Sequence, residues 1–326
     1  MKRTDRQLTV VVAALTRQRP EMLRELLLSW ARMTLPEQCS VKCLIVENDV
    51  QQVSRSVIDG CRPHFIDREL LYVLEPELGI PFGRNRAAKV AIAQNADLLL
   101  FVDDDEEVAE DWLVRMISGY RYSDAVLLGA PLRAKLPAEQ LSFFQSKMFA
   151  NIEARYRQKE LRARNLATLN TTRNVTIVTN NWLAETAIFR DHGIWFDENM
   201  RFTGGTDAKF YLEVCKAGLP TGWVADAFVY ETVPPKRLSF WYQYRRARDQ
   251  SNTHIRRKSE TSRHTIGAAV LGALAKIIPF IYLSIAIPFT GGRTVLGAAR
   301  TLGWISGRLG YVFGARSVLY LEVTGN

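Results

Sequence analysis

The chain has 326 residues, 47% hydrophobic and 24% charged, and its 43 Lys and Arg outnumber 34 Asp and Glu for a net charge of +9. That composition excludes a disordered or fibrous chain and leaves room for one large α/β domain with an appendage, or for two domains. Four cysteines without a Cys-x-x-Cys pair argue against a structural zinc or a disulfide framework, and the positive charge calls for an anionic partner.

Residues 8–15, Leu-Thr-Val-Val-Val-Ala-Ala-Leu, read as a first strand rich in β-branched residues. The apolar run is short and no signal peptide is apparent. A loop, Thr-Arg-Gln-Arg at 16–19, leads to Pro20 at a helix start, with Leu23, Leu26, Leu27 and Trp30 on one face. Residues 41–46 form a second strand that runs into Glu47-Asn48-Asp49, and residues 69–74 a third. Gly-Ile-Pro-Phe-Gly-Arg-Asn-Arg at 79–86 is a turn-rich loop before a helix that reaches about Asn95. Residues 98–102, Leu-Leu-Leu-Phe-Val, are apolar throughout, as in a strand buried on both faces of a parallel sheet. Strands alternating with helices give a right-handed, mostly parallel sheet.

The strand at 98–102 ends in Asp103-Asp-Asp-Glu-Glu107. Open α/β sheets bind ligands at the carboxyl ends of their strands. Carboxylates crowded at one such end repel one another unless a cation sits among them, and Mg2+ or Mn2+ takes oxygen ligands often shared with substrate phosphates. The other reading is a solvated acidic turn opening the next helix near Glu110. Glu106 and Glu107 are expected to belong to that loop and helix.

Further on, residues 125–130 read as a short strand and residues 139–164 as a long basic helix carrying Phe143, Phe144, Phe149 and Tyr156. Thr179-Asn180-Asn181 precedes a strand-like run at 183–189. Phe-Thr-Gly-Gly-Thr-Asp at 202–207 is a glycine loop entering a helix that Gly218 stops, with Thr206 as its expected N-cap. A late strand at 224–230 and a helix at 238–250, with Gln243, Arg245, Arg246 and Arg248, follow.

These pieces, in this order, resemble glycosyltransferase family 2, whose members have the GT-A fold, and are most similar to the branch that builds exopolysaccharide and lipid-linked saccharides. The resemblance covers roughly residues 8–252. It rests on Thr-Arg-Gln-Arg-Pro, Val-Glu-Asn-Asp, Gly-Arg-Asn-Arg, Phe-Val-Asp-Asp-Asp-Glu, Thr-Asn-Asn, Gly-Gly-Thr-Asp and Gln-Tyr-Arg-Arg. It implies a Rossmann-like mixed sheet flanked by helices and a donor site for a nucleotide-diphosphate sugar, a UDP-sugar first of all. Thr16, Arg17, Glu47 and Asn48 would line the base and ribose, although the family commonly has Asp where Glu47 stands. Arg84 and Asn85 would reach the nucleotide, where a guanidinium suits a diphosphate. Asp103 and Asp105, with Asp104 between them, match the metal-associated Asp-x-Asp motif and would hold Mn2+ or Mg2+. Asp207 matches the catalytic base, with Thr206 where the family has Glu. Asn180, Asn181 and Gly205 fall near the donor sugar and acceptor, and Gly204 with Gly205 would let an acceptor approach closely. Gln243-Tyr-Arg-Arg246 resembles the Gln-x-x-Arg-Trp motif of processive members, but Ala247 replaces the Trp, which favours addition of one sugar. Arg246 would offset charge on the departing diphosphate. Glu231 stands where many relatives carry His, so no His ligand is expected there.

The tail is apolar from 265 to 290 except for Lys276, with Pro279 and Pro288, and a basic stretch at 245–263 precedes it. This reads as an interfacial or re-entrant helical hairpin at the cytoplasmic face of the inner membrane, meeting a lipid-linked or saccharide acceptor. The expected division is a transferase domain at 1–252 and a membrane-associated helical region at 253–326. Gly303, Gly307, Gly310 and Gly314 fall on one helical stripe, expected to pack against 265–290 or a second protomer as a homo-oligomer contact. A degenerate membrane-bound scaffold and, behind it, a metal-dependent phosphatase are the rival readings; nucleic-acid binding follows from charge alone and is not expected.

Overall fold

The computed structural model describes residues 6–168, 175, 177–201, 205–261 and 266–315. The first half alternates as the sequence demands: β1 (Leu8–Thr16), α1 (Pro20–Arg32), β2 (Cys39–Glu47), α2 (Arg55–Cys61), β3 (Glu69–Leu74), α3 (Ile80–Ala93), β4 (Leu98–Val102). There follow β5 (Glu106–Val108), α4 (Trp112–Arg121), β6 (Leu127–Gly129), β7 (Leu132–Lys135), α5 (Phe143–Thr168), β8 (Asn181–Glu185), α6 (Ala187–Arg190) and α7 (Thr206–Lys216). The chain closes with β9 (Thr221–Trp223), β10 (Val229–Thr232), α8 (Phe240–Thr261), α9 (Ile266–Ala275), α10 (Ile277–Phe289) and α11 (Val295–Val312).

A seven-stranded sheet runs β3-β2-β1-β4-β8-β6-β9, and a three-stranded one β5-β10-β7. The first four strands are parallel, while β8 pairs antiparallel with both β4 and β6, so the sheet is mixed. Alternation along β1 sends Val10, Val12 and Ala14 into a core with Leu23, Leu26, Leu27, Trp30 and Trp112 on one face. Val11 and Ala13 go to a second core with Ala87, Ala88, Phe189 and Phe210 on the other. Helices therefore cover both faces and leave the carboxyl edges of β1, β2 and β4 for ligands.

Three strand expectations are corrected by pairing. The run at 183–189 breaks after Glu185 because the Thr186 hydroxyl donates to Ala96 O and its carbonyl accepts from Arg190 N, which starts α6. Of the late strand expected at 224–230 only Val229 and Tyr230 are in a strand, β10 of the small sheet, while β9 just before that run joins the large sheet beside β6. Glu106 and Glu107 open no helix; they form β5, antiparallel to β10, with Glu106 opposite Glu231.

The tail differs from expectation in two ways. Residues 266–289 do not fold back on themselves: Lys276 N and Phe280 N bond to carbonyls one turn earlier, so α9 and α10 run end to end, long and apolar enough to cross a membrane. The return is made by α11. Nor does the glycine stripe pack on 265–290 or await a second protomer. A Cβ on Gly303 would lie 2.3 Å from Tyr244 O, and one on Gly307 2.2 Å from Arg248 O, so α11 packs backbone to backbone on α8. Gly314 falls beyond α11, at φ +80° with open space around it. The expected boundary at 252/253 lies inside α8, the helix that grips the tail.

Candidate active site

All five residues of β4 are buried, so the first side chains free to face a ligand are those just past Val102. Asp104 turns back into the sheet: its Oδ2 accepts from Thr16 Oγ1 at 2.9 Å and its Oδ1 from Arg19 Nη1 at 2.9 Å. This stitches the ends of the adjacent strands β1 and β4 together. Asp105 accepts from Arg237 Nη2 at 3.0 Å. Arg237 also donates to Glu231 at 2.9 Å, and the other Glu231 oxygen accepts from Tyr156 Oη at 2.6 Å. Glu106 is buried and accepts from the backbone N–H of Asp103 at 2.7 Å.

Asp103 is the exception. Its side chain opens into the cleft, and its carboxylate accepts no hydrogen bond among the described residues. Although it meets cleft water, the protein surrounds it at depth. That desolvation, opposed by Arg84 and reinforced by Asp105, Asp104 and Glu231, pushes its carboxyl up to about 7. Burial likewise raises Asp104 to about 6 against the pull of Arg19. Burial, with Asp103 and Asp105 beside it, pushes the Glu106 carboxyl well above its ordinary value. Among the described residues no three His, Cys, Asp or Glu side chains gather closely enough to hold an ion alone. Asp103, with the oxygen of Asp105 that Arg237 leaves free, still fits a hard cation completed by substrate phosphates, because Mg2+-type sites commonly take only one or two carboxylates.

These acids floor a cleft of about 1480 Å³, whose lining includes Thr16, Arg17, Asn48, Arg84, Asn180, Gly205, Asp207 and Arg246. Arg17 reaches toward Asp49 at 3.7 Å, and its buried Nε has no hydrogen-bond partner among the described residues. Asn48 lines the cleft with its amide committed, donating to Glu75 O and Glu77 O and accepting from Gly79 N. Gly79 is required where it stands: φ is +137° and a Cβ would lie 2.8 Å from Arg201 Cγ. Arg84, the fifth residue of α3, donates to Thr206 Oγ1 at 3.0 Å and lies over the Phe196 ring. It thereby links the acidic loop to the start of α7.

Three expected ligand contacts stand elsewhere. Glu47 is fully buried off the cleft, accepting from Ser54 N and Tyr72 Oη, so it anchors α2 and β3. Asn85 holds Phe196 and Glu198 in place rather than facing the cleft. Asn181 pins the sheet by donating to Pro131 O and Ala227 O and accepting from Trp112 Nε1, while Asn180 alone of the pair lines the cleft.

Asp207 lies in the first turn of α7. Gly205, at φ +93°, is the N-cap in place of Thr206, whose hydroxyl serves Arg84 instead. Gly204 lies outside the described residues. Ala247 packs against Gly303, on the side of α8 that faces α11, so a Trp there would collide with α11. Sequence reasoning missed Arg19, Tyr156, Glu231 and Arg237 as a connected set. Arg19, inside the quoted Thr-Arg-Gln-Arg string, and Glu231, at a position where relatives carry His, had a local signal; Tyr156 and Arg237 had none. Gln243 belongs with them, donating to Arg237 O at 3.0 Å.

The fold and cleft can be set against known proteins. No protein-family model matches the sequence. A mannosyltransferase from Pyrobaculum calidifontis, solved with GDP-Man and Mn2+, superimposes with TM-score 0.62 over 96% of this chain and 89% of its own at 14% identity. S. aureus TarS 1–349 with UDP-GlcNAc gives TM-score 0.53 over 94% and 93%, also at 14% identity. This chain has the GT-A glycosyltransferase fold. In sequence, it is 29% identical over 323 residues to the succinoglycan biosynthesis protein ExoM of Rhizobium meliloti strain 1021, covering 95% of this chain and 97% of that one. The expected mixed sheet flanked by helices, with an apolar C-terminal helix, is the one observed.

Proposed function

We propose that the chain is a family 2 glycosyltransferase that adds one sugar from a nucleotide-diphosphate sugar, a UDP-sugar first, to a lipid-linked saccharide. The observation that carries this is the single cleft joining an acidic strand end, Arg84 from α3 and a carboxylate on α7. Its acids are partly neutralised by arginines and leave Asp103 uncommitted, which suits a donor that brings phosphates and a divalent cation. Relatives in fold are solved with UDP-GlcNAc and with GDP-Man and Mn2+, and a relative in sequence is named for polysaccharide biosynthesis.

In this reading Asp207 takes the proton of the acceptor hydroxyl. That oxygen bonds to the anomeric carbon as the bond from carbon to the diphosphate oxygen breaks, inverting the centre, and the bonding pair leaves with the nucleoside diphosphate. Arg84, and Arg246 beyond it, offset the charge that develops on the leaving group. Mn2+ or Mg2+, held by Asp103 and Asp105, supplies Lewis-acid stabilisation of the same charge when bound. Arg17 and Asn48 sit where the base and ribose would lie. A Trp after Arg246 is sterically closed by α11, in keeping with single addition.

The exposed faces of α9 and α10 carry Leu271, Leu274, Ile278, Tyr282, Ile285 and Phe289. With the basic α8 packed on α11, which also contacts both helices, they suit the surface of an anionic membrane, the cytoplasmic leaflet in this reading. The test is thermal denaturation with a panel of nucleotide sugars, with and without Mn2+. A rise in melting temperature for one donor, larger with Mn2+, followed by transfer to a lipid-linked saccharide, is expected. A protein indifferent to every donor is the scaffold instead.

A further inference from the structure

A second charged cluster borders the cleft, and of its members only Arg246 has a role toward the donor. Arg155 and Lys159 on α5, Arg246 on α8 and Arg300 on α11 are close enough to act on one another's charge. Lys159 and Arg246 line the cleft. Among the described residues none of the four forms an ion pair, and the acids nearest them are taken. Glu153 pairs with Arg157, Glu160 with Arg133, Asp249 with Arg248 and Glu231 with Arg237. Arg300 reaches only the amide oxygen of Gln250, at 3.4 Å. Arg155 and Lys159 reach the surface, yet the protein around them and the neighbouring cations lower both, and lower Arg300 to about 10. Glu231 acts on Lys159 and Arg246 and, with nearby tyrosines, holds the latter up, so Arg155 and Arg300 are the two left without an acid among the described residues.

Their place says what compensates them. Lys147, Asn151, Arg155 and Lys159 recur every four residues and so line one face of α5. Lys147 lies against Gly292, in the turn between α10 and α11, and Asn151 donates to Gly292 O at 3.2 Å. From that turn to Lys159 the row spans roughly 18 Å at 1.5 Å per residue. Exposed Phe143 and Phe144 at the start of α5 and Phe289 at the end of α10, 85% exposed, stand at the turn end of the row. Cations thus lead from an apolar surface into the cleft.

We infer that Arg155, Lys159 and Arg300, next to the donor-side Arg246, form a second phosphate subsite that receives the phosphate-bearing headgroup of the acceptor lipid while α9 and α10 hold its tail at the membrane. This rests on the sugar-transfer reading above and deepens it: the donor's phosphates go to the Asp103 and Arg84 end, the acceptor's to this one. An apolar surface running directly into the cation row favours a lipid headgroup over a free phosphate.

The experiment compares wild type, Arg155→Gln/Arg300→Gln and Arg155→Lys/Arg300→Lys. Each is bound to phosphatidylcholine vesicles that carry a polyprenyl diphosphate, phosphatidylglycerol or neither, and separately to nucleotide sugars. The Gln pair is expected to bind the diphosphate vesicles about ten-fold or more weakly, as befits two lost charge-assisted contacts, with the Lys pair largely restored. Donor affinity should be alike in all three proteins. Equal binding of diphosphate vesicles by wild type and the Gln pair overturns the subsite. So does an equal loss on phosphatidylglycerol vesicles, which would make the cluster a general anionic-lipid patch. Absence of donor binding in every protein would instead sink the sugar-transfer reading, with the vesicle arms still deciding the subsite.

Discussion

The acids past β4 and the cations Lys159 and Arg246 line one cleft, with Arg155 and Arg300 close to those cations, yet acids and cations rest on different scaffolds and are balanced differently. The acids sit at strand ends buried on both sides, and arginines from loops (Arg19, Arg237) already take part of their charge. The cations sit on helices, with nearby carboxylates diverted to other partners. An acidic site that is nearly compensated needs one cation and a phosphate to complete it. A cationic site left uncompensated needs the whole anion from outside. The difference separates a site built around its own ion from one built to receive a ligand.

The largest effect should come from the residue outside both clusters. Asp207→Asn is expected to lower turnover by about 10²–10⁴-fold, the usual contribution of a general base, with nucleotide-sugar affinity nearly intact. Single-turnover release of nucleoside diphosphate measures it, and near wild-type turnover would remove Asp207 from the mechanism.

Asp103→Asn breaks the acidic end without disturbing a hydrogen bond, so the protein should fold while the Mn2+-dependent part of the donor-induced melting shift disappears. In wild type that part should grow as pH rises through about 7, because protons and cation compete for Asp103. Without ligand the sign reverses. Raised carboxyls stabilise the fold below the ordinary value of 3.8, and that contribution is lost as pH climbs through their folded values. The apo melting temperature should fall across this window, less steeply in Asp103→Asn. A flat profile in both proteins would mean that these carboxyls ionise normally.

Gly307→Leu tests how the cationic end is assembled. With Arg248 O 2.2 Å from a Cβ, the side chain must push α11 off α8, at about 1–3 kcal/mol or more. Thermal melting should register the loss while the sedimentation coefficient keeps the wild-type oligomeric state. An altered oligomer with unchanged melting would return the stripe to a contact between protomers.

The smallest effect joins the two ends. Tyr156→Phe deletes the hydrogen bond from α5 to Glu231, at about 1–2 kcal/mol for a bond to a charged group whose second oxygen stays paired with Arg237. Denaturant unfolding should show the loss with donor affinity within a few-fold. A loss of donor affinity as large as that of Asp103→Asn would show that α5 positions the acidic loop.

Much of the first half was legible because periodicity and strand-end chemistry are local. Five apolar residues before five acids can hardly be other than a buried strand opening on a polar edge, and β1, β2, β3 and β4 appear within a residue or two of expectation. Roles were less legible than positions. Glu47, Asn85 and Asn181 carry the right residue type at the right strand or helix end, but each is consumed by backbone or side-chain partners 7 to 113 residues away. Such partners exist only once the chain has closed. Glu106 looked like a helix start until β10, 125 residues later in the register pair Glu231↔Glu106, made it a strand.

What the sequence alone determined is therefore the doubly covered sheet, the acidic edge of β4 and an apolar, basic-flanked tail, since each follows from residue spacing and composition within a short window. What only the tertiary structure decided is which charges meet. Arg19 and Arg237 reach the acids from 85 and 132 residues away, α11 closes on α8 through glycines, and Arg155 and Arg300, from two helices, are left without acids among the described residues. Electrostatic balance depends on through-space distance, and the linear chain does not contain that distance until hydrophobic burial has set it.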